Sequence, residues 1–88
     1  MDTAITRLLG CRYPVVQTAM GWVADAKLVA ATANAGGFGF LAGAVMSLEE
    51  IEAAILEVKS LTDKPFGVNF HMYVPYAEDI VELCIAHK

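Results

Sequence analysis

An α/β fold of consecutive βα units with parallel strands is predicted by three features of the 88-residue sequence. Short apolar runs alternate with amphipathic stretches of helical period, the order expected of parallel strands joined by crossover helices. The middle run, Phe38-Gly39-Phe40-Leu41-Ala42, is apolar on both faces. A strand covered by helices on one side and a barrel interior on the other requires that pattern. The run starts, at positions 13, 38 and 66, recur about every 26 residues. Eight such units would make roughly the 250 residues of a TIM (β/α)₈ barrel. The chain therefore reads as the N-terminal portion of a barrel, about three βα units, and residues 1–88 as an incomplete domain.

A short helix through Ile5 to Leu9 precedes the first strand, Tyr13-Pro14-Val15-Val16-Gln17, where Pro14 is tolerable near the strand's start. Asp25 offers an N-cap to a helix whose narrow face is read as Leu28, Ala31, Thr32 and Ala35, small side chains suited to close packing on a sheet. Gly36-Gly37 ends that helix and Phe38 to Ala42 forms the second strand. Ser47-Leu48-Glu49-Glu50 is a capping box, with the Ser47 hydroxyl accepting from the N3 amide and Glu50 reaching back. Leu48, Ile51, Ile55 and Val58 follow as the buried stripe, and Asp63-Lys64-Pro65 punctuates the end. Phe66 to Phe70 is the third strand, and Pro75 is placed at N1 of a last helix through Ala77, Ile80, Val81 and Cys84.

The composition, 57% hydrophobic and 18% charged, excludes disorder and is apolar for a small free-standing domain. Three strands with helices on one side leave the other sheet face and both edges bare, so the rest of a barrel is expected as a partner. A net charge of -4 with scattered basic residues excludes a nucleic-acid partner. Arg7, Asp25, Lys27 and Glu49 interrupt the apolar stretches, and Met1-Asp2-Thr3 lacks a basic signal region, so no membrane partner and a cytoplasmic location are expected. Cys11 and Cys84 have no metal-type spacing or histidine cluster and are read as buried free thiols, with no metal site.

Three segments could carry chemistry. Gly37, Gly39 and Ala42 form a G-x-G-x-x-A string, but it follows a helix and enters a strand, the reverse of a dinucleotide fingerprint. The glycines are therefore read as a helix end and close strand packing. The loop Gln17-Thr18-Ala19-Met20-Gly21-Trp22-Val23 follows the first strand, at the strand end where barrel active sites lie. Ala19 and Gly21 would let backbone amides approach a flat ring and Met20 offers a thioether to its face. It could equally be an ordinary loop, and Trp22 could stack on a ligand or on a neighbour. In the third strand, alternation puts Gly67, Asn69 and His71 on one side and Phe66, Val68 and Phe70 on the other. The bulky set suits the helices, which points Asn69 into the barrel, toward a ring edge of alternating donors and acceptors or toward a neighbouring loop. His71 is an acid or base at the mouth or a solvated loop histidine, and His87, Glu78, Asp79 and Glu82 read as a solvated helix face.

Tyr13-Pro14 through Gln17, Ala19-Met20, Trp22-Val23-Ala24-Asp25, Asn34-Ala35-Gly36-Gly37-Phe38-Gly39 and Leu61-Thr62-Asp63-Lys64-Pro65-Phe66-Gly67-Val68-Asn69, in this order, resemble the flavin-dependent nitronate monooxygenases and the similar FMN-dependent enoyl-acyl-carrier-protein reductases. The resemblance implies an FMN-dependent oxidoreductase acting on a small molecule. In the first case it oxidises alkyl nitronates with oxygen to a carbonyl compound and nitrite. In the alternative it reduces enoyl thioesters, and a third possibility is a noncatalytic truncated piece. It also implies that Ala19, Met20 and Gly21 line the isoalloxazine ring and that Asn69 hydrogen-bonds it. Thr18-Ala19 stands where relatives often have Gly-Gly. The family's catalytic histidine and phosphate-gripping glycines fall outside these residues, and neither His71 nor His87 matches that histidine's motif.

Overall fold

The computed structural model describes residues 2–21, 23, 25–71 and 75–87. Four helices, α1 (Ala4–Leu9), α2 (Ala26–Asn34), α3 (Leu48–Leu61) and α4 (Ala77–Ala86), alternate with strands β1 (Val16–Gln17), β2 (Phe38–Leu41) and β3 (Gly67–Val68). The strands form one sheet in the order β1-β2-β3, and both pairings are parallel. Val16 stands beside Phe38 and Phe40 beside Gly67, so each strand begins one βα unit and the next lies against it. This is the predicted barrel segment.

The core lies between the sheet and its helices. Leu41 from β2, Val29 from α2, Ile51, Ile55 and Val58 from α3 and Ile80 from α4 are almost wholly excluded from water. Phe66, Val68 and Phe70 pack against this cluster, as the alternation of the third strand required. The predicted stripe of α3 is observed, with Leu48 partly buried beside Ile51, Ile55 and Val58.

The buried α2 set begins two residues earlier than the expected one: Ala26, Val29, Ala30 and Ala33 are buried, whereas Ala31 and Ala35 are exposed. Both sets have helical spacing, and contact with β2 selects between them. A Cβ on Gly39 would lie 3.1 Å from the Val29 Cα and 3.2 Å from its carbonyl oxygen, so the glycine brings the helix backbone onto the strand at Val29.

All three strands are shorter than expected, β2 by a single residue. The amides of Arg12 and Tyr13 donate to the Gly36 carbonyl at 2.9 and 2.8 Å, and the Val15 amide turns back to the Tyr13 carbonyl at 2.8 Å. Pro14 has no amide to give a ladder, so β1 starts only at Val16. At the other end, β2 leaves the sheet at Leu41 and enters a 3₁₀ turn at Gly43–Val45, which limits β3 to two paired residues plus the Asn69 amide on the Leu41 carbonyl at 2.9 Å. Pro75 precedes the Tyr76 N-cap of α4 and so stands outside the helix, one step ahead of the N-cap and two ahead of N1.

His87 is not a solvated side chain. Its Nε2 lies 3.3 Å from the Glu52 carboxylate and its carbonyl accepts from Lys59 Nζ, which ties the end of α4 to α3. Glu78, Asp79 and Glu82 are exposed, as expected. Both cysteines are half-buried rather than buried. Burial pushes the Cys84 thiol above its usual pKa. Among the described residues no helix is long and apolar enough to cross a membrane, and no cluster of His, Cys, Asp or Glu could hold a metal.

The α3 capping box is present in full: the Ser47 amide donates to the Glu50 carboxylate at 2.9 Å and the Glu50 amide to the Ser47 hydroxyl at 3.2 Å. The backbone bond from Ser47, then its hydroxyl, hold Glu50 below the ordinary value of 4.5. A carboxyl with a lowered folded pKa stabilises fully above its unfolded value and loses that effect as pH falls through the folded one. Glu50→Gln is therefore expected to unfold at a lower temperature than the parent at neutral pH. The gap should close on acidification below about pH 4, checked by thermal melts across pH.

Asn34, at the end of α2, donates from Nδ2 to the Leu61 carbonyl at 3.1 Å and accepts from the Thr62 hydroxyl. It thereby satisfies a carbonyl left over at the end of α3. Asn34→Ala is expected to lower stability by about 1 kcal/mol, read as a shifted urea midpoint with unchanged slope.

Candidate functional site at the strand mouth

The C-terminal ends of the three strands lead into loop 1 (residues 18–25), loop 2 (42–47) and loop 3 (69–76). Side-chain and backbone contacts draw these loops together. The loop 1 glycine, Gly21, sits so that a Cβ would touch Val45 Cγ1 of loop 2 at 3.4 Å. Between loops 2 and 3 the approach is closer, since a Cβ on Gly43 would fall 2.3 Å from the Asn69 carbonyl oxygen. Tyr76, at the head of α4, donates its hydroxyl to the Met46 carbonyl at 3.1 Å.

The loops frame a cleft of about 380 Å³ lined by Val16, Thr18, Ala19, Phe40, Val68, Asn69 and Phe70. Its walls are mostly apolar. Asn69 stands on the same strand parity as Gly67, which pairs beside Phe40, away from the helix-facing Val68. Its backbone amide is used on the Leu41 carbonyl, but its carboxamide makes no hydrogen bond among the described residues. The carboxamide is half-buried at the cleft and open to hydrogen-bond whatever enters it.

Of the four residues expected to bind a cofactor, the cleft brings together Ala19 and Asn69. Met20 and Gly21 lie outside its lining, Met20 at 41% exposure and Gly21 against Val45. His71 is exposed beyond Asn69, and Trp22 lies outside the described residues. A second cleft, lined by Gly10, Arg12, Asn34, Gly36 and Lys64 among others, opens at the opposite ends of the strands, where barrel conservation of structure rather than chemistry is the rule.

Sequence reasoning did not single out Gln17 as a site residue. Its Nε2 donates to the Phe40 carbonyl at 3.2 Å and to that of Thr18, fastening the exit of β1 to β2 and holding the base of loop 1. Its Oε1 is buried without a partner, on the side of Gly39, where a Cβ would come within 2.9 Å of it. The available signal was a lone amide ending an apolar strand.

Parallel βα units whose strand ends share a cleft define a segment of a (β/α)₈ barrel. The nitronate monooxygenase family model matches residues 2–87, and the chain belongs to that family. It is 60% identical over 85 residues to the Mycobacterium tuberculosis (3aS,4S,5R,7aS)-5-hydroxy-7a-methyl-1-oxo-octahydro-1H-indene-4-carboxyl-CoA dehydrogenase, covering 97% of this chain and 24% of that protein. It is 43% identical over 79 residues to the nitronate monooxygenase of Pseudomonas aeruginosa, covering 90% of this chain and 22% of that one. Among solved structures, FabK from Thermotoga maritima superposes with a TM-score of 0.91 at 37% identity, over 98% of this chain and 28% of FabK. The chain thus spans about a quarter of the length of the relatives it matches.

Proposed function

We propose that this chain forms one wall of the cofactor pocket of an FMN-dependent oxidoreductase, and that residues 1–88 are the N-terminal part of a barrel whose remaining βα units complete the site. The observation that carries this reading is the mouth cleft, with apolar walls at Val16, Ala19 and Phe40 and the unpartnered carboxamide of Asn69. Those residues fit a flat heteroaromatic ring with a donor and acceptor edge. Asn69 would hydrogen-bond that edge and Ala19 would pack on the ring, with Met20 and Gly21 closing over it from loop 1. Gln17 would keep loop 1 in register with β2. When bound, the flavin supplies the electron transfer, while the protein binds and orients. A base and a phosphate grip would come from the rest of the barrel, and the protein would act in the cytoplasm.

The family supports oxidation of alkyl nitronates by oxygen to a carbonyl compound and nitrite. A second reading, redox chemistry on a CoA thioester, is favoured by the higher identity to the indene-carboxyl-CoA dehydrogenase, 60% against 43%. The resemblance to enoyl-thioester reductases points the same way. The protein that carries this chain, at its relatives' length, should purify with one FMN. Nitrite release from a nitronate would select the first reading. Loss of flavin colour on adding an acyl-CoA without oxygen, or return of colour to the reduced flavin on adding an enoyl thioester, would select the second. A protein that neither holds nor takes up FMN would sink both.

A further inference from the structure

We propose that Arg12 and Lys64 form a small-oxyanion site at the N-terminal ends of the strands, where a bound phosphoryl group ties together the segments that enter β1, β2 and β3. The site is separate from the mouth cleft and does not rest on the flavin reading. Its first support is charge. A cleft of about 290 Å³ is lined by Gly10, Arg12, Asn34, Gly36, Lys64 and Pro65 among others, with no Asp or Glu in its lining. The chain carries ten acidic residues against six basic ones, so two cations sharing one cleft run against its net charge of -4. Arg7 is paired with Asp2 at 2.7 Å and Lys59 donates to the His87 carbonyl. Among the described residues neither Arg12 nor Lys64 has a carboxylate within ion-pair reach. A cleft lined by charge of one sign concentrates ions of the other.

Geometry is the second support. The Arg12 amide donates to the Gly36 carbonyl at 2.9 Å, and its guanidinium carbon lies 5.2 Å from the Tyr13 ring centroid, a cation–π contact that orders the side chain. The Lys64 amide donates to the Thr62 hydroxyl at 3.1 Å, which fixes the turn ahead of β3. Gly10 brings the two segments together, since a Cβ there would stand 3.3 Å from Pro65 Cγ. Gly36, at a φ of 104°, keeps the space open: a Cβ there would fall 2.8 Å from the Tyr13 ring and 3.1 Å from Arg12 Cβ, displacing both. The cleft lies just below the roughly 300–1,000 Å³ of pockets that enclose a drug-sized ligand, which suits a compact anion. An arginine fork beside a lysine point charge matches the oxygens of a phosphoryl group. Both side chains are exposed, so an anion enters without any opening of the fold. This end of a barrel serves stability rather than chemistry, and the anion should accordingly raise resistance to unfolding.

The test uses the protein that carries this chain, at its relatives' length, loaded with FMN and freed of excess so that the flavin's own phosphate position is filled. Inorganic phosphate and glycerol 3-phosphate are titrated by calorimetry against a chloride background of constant ionic strength, the first probing for a free oxyanion and the second for a phosphomonoester. At least one is expected to bind and to raise the melting temperature. Arg12→Gln and Lys64→Gln should each weaken that binding by about tenfold or more, with flavin content unchanged. Lys64→Arg, which keeps the charge, should restore it. Where Arg12→Gln melts early without added anion, through loss of its contact with the Tyr13 ring, the Lys64 variants decide alone. A parent protein that binds neither anion would overturn the proposal. So would binding that either well-folded glutamine variant retains, as for an adventitious ion held elsewhere on the barrel. A protein without FMN fails the flavin reading only, and the same titration of it still decides this proposal, because Arg12 and Lys64 stand at the strand ends opposite the mouth cleft.

Discussion

Gly43→Val is expected to be the most damaging single substitution at the mouth, destabilising the protein by more than about 3 kcal/mol and abolishing retention of FMN. The first atom a Cβ would meet is the Asn69 carbonyl oxygen, 2.3 Å away, and Val68 Cγ1 is next at 3.1 Å. Neither can withdraw cheaply. Asn69 is held to β2 by its amide on the Leu41 carbonyl, and Val68 is paired with Leu41 and packed on the core. Relieving the clash means prising β3 from the end of β2, which also moves the Asn69 carboxamide. Gly67 offers the instructive contrast. A Cβ there would meet the Phe40 ring at 2.3 Å, but a ring at the end of a side chain can turn, at the cost of its edge contact with Phe38. Gly67→Ala should therefore cost less. Gly21→Ala, whose Cβ would make ordinary contact with Val45, should cost least of the three. Urea denaturation of the three variants, with flavin content measured alongside, would show that order, and a Gly43→Val protein of parental stability would refute the account of the mouth.

Gly43 also shows where sequence reasoning stops. Periodicity revealed the elements because each is decided locally: a capping box at Ser47, a stripe at Ile51, Ile55 and Val58, an apolar run at Phe38. The parity of Phe66, Val68 and Phe70 was enough to turn Asn69 away from the helices. The α2 face was not decidable that way, since two sets of residues have the same spacing and only contact with Gly39 distinguishes them. The strand limits were set by pairing partners that sequence does not display, as at Leu41, where β2 turns away and β3 has nothing left to bond. His87 was read from its own helix alone, but its partner Glu52 is on another. That Ala19 and Asn69 line one cleft at the strand ends follows from strand-end position and parity, which are local properties. The tie from Gln17 to Phe40 and the contact of Gly43 with Asn69 join different βα units, and no spacing announces them.

Asn69→Leu should separate binding from structure more cleanly than any other change in the chain. Its carboxamide has no partner among the described residues, so removing it takes no hydrogen bond from the fold. Leucine is close in volume, and in an apolar cleft it should change the stability of the flavin-free protein by less than about 0.5 kcal/mol. With FMN the balance reverses. A ring edge that has exchanged water for the amide would be left without its partner, a loss of about 1–3 kcal/mol. At 1.4 kcal/mol per decade, that is roughly a 5- to 150-fold weaker dissociation constant. Gln17→Leu provides the opposite signature. The Nε2 bonds to the Phe40 and Thr18 carbonyls are made within the chain, so their loss should lower stability with or without flavin, and affinity should fall only as loop 1 loosens. Fluorescence titration of the flavin-free protein with FMN, paired with urea unfolding of the same samples, measures both quantities. Should Asn69→Leu destabilise the flavin-free protein and leave FMN affinity unchanged, Asn69 would be a bridge between loops, and the cleft would lose the carboxamide argued to suit it to a flavin.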